Sequence, residues 1–161
     1  MTAALLAVLL VAAKYALDAV PNVELVSLLL ILYTLEFPGL VLPALYTYVM
    51  LYGLMYGMGV WWFPQWYVWL VLVGAARLLR RCDSAVLWAV VSGAFGLSYG
   101  ALYAVSYAVL NGGIAAGFAW WVAGIPFDLL HCAGNFAAAL LLYRPLRTGI
   151  ARCKTAAHWP D

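Results

Sequence analysis

Long apolar runs, broken by short clusters of proline, glycine and charge, organise this chain from end to end. Six runs stand out, at about residues 3–19, 24–36, 38–59, 65–80, 85–109 and 126–147. A straight helix crossing a bilayer core needs about 20 apolar residues, so each run is a candidate span, the first two being short. The breaks carry helix signals. Pro21 and Asn22 are placed to end the first helix and cap the second, and Pro38-Gly39 makes the next turn. Pro64 opens the fourth run, Asp83 or Ser84 suits the N-cap of the fifth, and Pro126 suits the first turn of the sixth. The expectation is an all-α protein in which residues 1–161 form a single six-helix domain.

Composition turns that expectation into a class. The chain is 68% hydrophobic and only 9% charged, whereas soluble domains carry about 25% charged residues. A soluble fold would have almost nothing with which to cover its surface, so an integral membrane protein is expected. The run at 3–19 reads as a retained span rather than a signal peptide, because Lys14 and Asp18 follow it and no small-residue cleavage site is evident. Cys82, Cys132 and Cys153 show no paired spacing. Neither a disulfide framework nor a zinc site is expected.

Charge placement then sets orientation. Arg77, Arg80 and Arg81 sit at the fourth-to-fifth junction, and Arg144, Arg147, Arg152 and Lys154 close the sixth run. The connections near 20–23, 60–64 and 110–125 contain no lysine or arginine. By the positive-inside rule both basic clusters are cytoplasmic, and six spans put both termini on that side. The basic clusters flank spans, so nothing points to nucleic-acid binding.

The outer connections hold Trp61, Trp62, Trp66, Trp120 and Trp121, against Trp88 and Trp159 near the inner side. Two readings stay open: an interfacial aromatic belt, or an aromatic wall around an external ligand site. Polar residues converge on the same side. Asp128, His131 and Asn135, spaced i, i+3 and i+7, share one face of the last helix. Polar groups within a span are costly unless paired or facing a wet cavity. Each has a plainer role as well. Asp128 could complement the helix dipole, His131 could bond Asp128 or another helix, and Asn135 beside Gly134 could anchor a helix crossing. Asn22 and Glu24 could be cavity groups or simply capping residues, and Tyr103 and Tyr107 could supply hydroxyls. Lys14 and Asp18 form an i, i+4 pair, and Glu36 is expected to be solvated or paired with an inner arginine.

Small residues recur four apart, as Ala3/Ala7, Ala12/Ala16, Gly53/Gly57 and Ser92/Gly96/Gly100/Ala104. This spacing lets helix backbones approach closely. The last stripe is expected to pack inside the protein, and the alanines of the first helix could face a partner. No GxxxxGK[ST] or HExxH stretch occurs, so the chain holds no phosphate-cradling loop of its own and lacks the common metalloprotease signature.

The stretch "VPNVELVSLLLILYT" (20–34), the alanine spacing of the first helix and "PFDLLHCAGNFAAALLLYRPL" (126–146) together resemble the substrate-binding S components of energy-coupling factor transporters. The resemblance implies six helices with both termini inside, and a vitamin-like micronutrient bound near the outer face without cofactor or metal. It implies ligand contacts from Asn22, Glu24, Trp61, Trp62, Trp66, Tyr103, Trp120, Trp121, Asp128, His131 and Asn135. It further implies that Ala3, Ala7, Ala12 and Ala16 meet a transmembrane coupling subunit, itself joined to two cytosolic ATPases. The competing readings are a small membrane enzyme using Asp128 and His131 as an acid/base pair, and a stand-alone transporter or structural subunit. The enzyme would need a nucleophile or metal, and Cys132 lies off the face of His131.

Overall fold

The described residues form six α-helices: α1 (Thr2–Ala16), α2 (Val26–Glu36), α3 (Val41–Tyr56), α4 (Gln65–Leu78), α5 (Ala85–Leu110) and α6 (Ile114–Ala156). A single 3-10 turn, Val60–Trp62, lies between α3 and α4. The structure is a computed structural model that describes residues 2–20 and 22–157, and no strand occurs among them. The turn expected at Pro21 and the inner Trp159 lie outside the described residues.

Helices α5 and α6 run antiparallel as a hairpin and make the most extensive helix contact in the molecule. Their turn ends on Gly112 and Gly113, both at positive φ (110° and 93°), where a side chain would strain the backbone. The small residues of α5 seat α6 at backbone distance. A Cβ on Gly96 would stand 2.8 Å from the His131 carbonyl, and one on Gly117 would stand 2.8 Å from the Ala104 carbonyl. The expected internal stripe on α5 is therefore observed.

Helix α6 is longer than its sequence signals suggest. Pro126 lies within it rather than at its start, and residues 114–125, expected as a connection, are helical. A proline inside a helix costs roughly 3 kcal/mol. Here the seating of Gly117 on Ala104 and Ala108 and the stacking of Trp120 on Tyr107 carry the helix through it. At 1.5 Å per residue α6 measures about 64 Å.

The other helices wrap this hairpin. Helix α2 is buried on almost every side, from Val26 to Thr34, as an all-round apolar helix must be. It packs on α4 and α6, while α1 packs on α3. Among the described residues only α5 and α6 are both long and apolar enough to cross a membrane; α1 to α4 have 11 to 16 residues. Within α1 the alanines divide. Ala7 is buried and Ala3 half-buried, but Ala12 and Ala16 are exposed, because the step of five from Ala7 to Ala12 turns about 140° round the helix.

Two capping expectations are resolved. Ser84 accepts a hydrogen bond from the Leu87 N–H as the N-cap of α5. Asn22 does not cap α2: it is a left-handed residue (φ 58°) four positions before the helix. Glu24 does that work, accepting from the Ser27 N–H at 2.9 Å.

Polarity runs inside out along α6. Asp128, His131 and Asn135 are buried, whereas Phe127, Leu129, Leu130 and Leu141 are more than half exposed. At the basic end of the molecule, Arg147 pairs with Glu36 at 2.9 Å and also with Asp83, Arg144 pairs with Asp83 at 3.3 Å, and Lys154 reaches Glu36 at 3.6 Å. The pairing of Glu36 with an arginine of the basic end and the Lys14–Asp18 pair (3.7 Å) are both as expected.

Candidate functional site

Opposite the basic end, beneath the tip of the α5–α6 hairpin, two adjoining cavities open between α2, α3, α4, α5 and α6. The larger measures about 660 Å³ and the smaller about 140 Å³; Asn22, Tyr52, Gln65 and Tyr99 line both. The combined space is the size of a small-molecule site.

The side walls are aromatic. Trp120 stacks parallel to Tyr107 at 5.5 Å and to Tyr103 at 6.4 Å. Tyr103 in turn stacks on Tyr99 at 4.7 Å. These four rings come from two facing helices and form a continuous π-surface on one side of the larger cavity. Across it, Trp61 meets Tyr52 edge to face at 5.3 Å. Such surfaces bind flat rings, because offset stacking and area burial act together.

The polar groups lie at the narrow end. Glu24 accepts from both the N–H and the hydroxyl of Ser27 and faces His131, whose Nε2 stands 3.5 Å from a Glu24 carboxylate oxygen. That contact is an ion-pair distance without hydrogen-bond alignment, so Nε2 keeps no hydrogen-bond partner. The imidazole also meets Tyr99 edge to face at 4.9 Å. Asp128 lies against the bare backbone of Gly100, whose N–H donates to Oδ1 at 3.0 Å; Oδ2 is buried with no partner. His131 thus turns to Glu24 of a neighbouring segment rather than to Asp128.

Of the residues singled out in the sequence, Asn22, Glu24, Trp61, Tyr103, Trp120, Asp128 and His131 line these cavities. Tyr107 does so too. Four others lie elsewhere. Asn135 is buried one turn deeper and donates to Ser27 Oγ at 3.1 Å, tying α6 to α2. Trp62 covers Gly53 and donates from Nε1 to the Val49 carbonyl at 2.8 Å. Trp66 stacks on Tyr46 at 5.4 Å. Trp121 lines a shallow apolar groove on the outside of the hairpin.

Gln65 is the main residue that sequence reasoning missed. It is buried, donates to Tyr99 at 3.2 Å and to Tyr103, and accepts from the Trp69 indole at 2.5 Å. The available signal was its being the only glutamine in the chain, directly after Pro64. Tyr48 and Tyr52 were also missed, since tyrosine is common at membrane interfaces. No group of three or more His, Cys, Asp or Glu side chains is arranged to hold a metal among the described residues.

No protein-family model, curated protein or solved structure matches the chain.

Proposed function

We propose that the protein is a membrane-embedded binding subunit that captures a small, vitamin-like aromatic solute at the outer face of the cell membrane. One observation carries this reading: a cavity of about 660 Å³, walled by Trp61, Trp120 and stacked tyrosines, sits at the end of the molecule opposite the arginines. The inside-out polarity of α6 supports immersion in lipid, where exposed leucine and phenylalanine cost nothing and buried polar groups need a partner or a cavity. On this reading all six helices cross the bilayer with both termini cytoplasmic. Helices of 11 to 16 residues cover only about 16–24 Å, so the non-helical stretches at their outer ends complete the passage. Irregular backbone is tolerated at that depth where it lines a cavity, as Asn22, Val23 and Glu24 do.

Import then needs an energy source that this chain does not contain. As in the S components it resembles, the loaded subunit docks on a transmembrane coupling subunit driven by two cytosolic ATPases. On α1 the outward positions Ala12 and Ala16 meet that partner, while Ala7 is taken by the protein's own core.

The test is direct. Purified protein, analysed by native mass spectrometry and then titrated with a panel of vitamins and precursors in a thermal-shift assay, is expected to retain or bind one of them. Trp120→Ala should raise its Kd roughly five- to thirtyfold, the loss of one stacking partner being worth about 1–2 kcal/mol. A protein that carries no small molecule and is stabilised by none of the panel would end the proposal.

A further inference from the structure

The charge of the cavity narrows the class of ligand, on the footing that the cavity is a binding site. Two carboxylates line it, Glu24 and Asp128. They are not equivalent. Glu24 is already engaged by two hydrogen bonds from Ser27 and by the facing imidazole of His131. Asp128 has one backbone hydrogen bond, no ion pair among the described residues, and a buried oxygen, Oδ2, that nothing satisfies. The one lysine at the cavity, Lys14, is held by Asp18 at 3.7 Å. A buried carboxylate without a cationic partner is expensive, and the rings beside it present electron-rich faces that attract cations.

We infer that the site takes a flat cation: an aromatic ring bearing an amidine-like or ring-nitrogen positive charge, stacked between Trp61 and the Trp120–Tyr107 pair with its N–H donors turned to Asp128. The cation supplies the charge partner that the Asp128 carboxylate lacks, and the aromatic walls hold the ring plane. Anionic rings are excluded by the same feature, since a third carboxylate would meet two already present. Neutral rings stack but bring Asp128 no countercharge.

Three probes of one shape separate these cases: benzamidine (cation), benzamide (neutral) and benzoate (anion), each titrated against the purified protein in nanodiscs by intrinsic tryptophan fluorescence. The expected order is benzamidine tightest by about tenfold over benzamide, the yield of one charge-assisted hydrogen bond, with benzoate weakest. Asp128→Asn should bring benzamidine level with benzamide. Should that variant not fold, the wild-type ranking of benzamidine over benzamide serves as the deciding measurement. Benzamide or benzoate binding as tightly as benzamidine to the wild type would overturn the inference while leaving an aromatic-solute site in place. Quenching by none of the three would remove the site as well.

Discussion

Asp128 and Asn135 stand on the same face of one helix, yet they do different work. Asn135 is a structural tie: its amide crosses from α6 to Ser27 on α2, in a position 1% exposed. Asn135→Leu removes that bond and leaves the Ser27 hydroxyl short of a donor, at a cost of about 1–2 kcal/mol. The expected result is a lowered midpoint in detergent unfolding; on the proposed binding role, ligand affinity per folded molecule stays unchanged. Gly100 is constrained from the other side. A Cβ there would strike the Asp128 carboxylate, so Gly100→Ala should push α6 off α5 and cost about 1–3 kcal/mol. On the proposed binding role, affinity should weaken with it, since the same atoms border the cavity. A Gly100→Ala protein with wild-type midpoint and affinity would show that the helices can part there freely.

At the scale of elements, the basic end works as a clasp. The Asp83 side chain joins the α4–α5 connection to α6 through Arg144, Arg147 and Tyr143. Partial burial pushes its carboxyl up, but the Tyr143 hydrogen bond and the two guanidinium charges outweigh this and hold it below the usual carboxylate range. A carboxyl whose pKa is lowered by folding contributes stability above its unfolded pKa of about 3.8, and that contribution disappears as pH falls through the lower folded value. Wild type should therefore melt above Asp83→Asn near neutral pH, and the gap should close on acidification below about pH 4. A gap that is constant with pH would assign the effect to lost packing. Element boundaries also show what a sequence conveys. The N-cap at Ser84 and the small-residue stripe of α5 are local chemistry, legible by spacing alone. The start of α6 was not. Pro126 and the glycines around it signal a break, and only the packing of residues 114–125 against α5 overrides that signal.

For the whole molecule, the basic and aromatic ends define an axis, and the cysteines report its direction. Cys82 and Cys153 are exposed near the basic end, whereas Cys132 is half-buried in the middle of α6. If that end is cytoplasmic, a membrane-impermeant maleimide should label Cys82 and Cys153 in inside-out vesicles and spare them in intact cells; the reverse pattern would invert the topology. What the sequence determined by itself was the all-helical class, the segregation of arginine from tryptophan, and the one-faced array of Asp128, His131 and Asn135. These follow from composition and from the 3.6-residue period, which need no tertiary knowledge. Which polar groups meet was decided only by the fold. The imidazole of His131 is more than one hundred residues from Glu24 in sequence and 3.5 Å from it in space, and Gln65 gained its place only when α4 brought it against Tyr99 and Tyr103. The tryptophans of the two lysine- and arginine-free connections looked alike in the sequence; the packing around each made Trp62 and Trp66 structural and left Trp61 and Trp120 to face the cavity. Local chemistry chooses helices and faces, but a cavity belongs to no single helix, and its lining is fixed by how the faces are brought together.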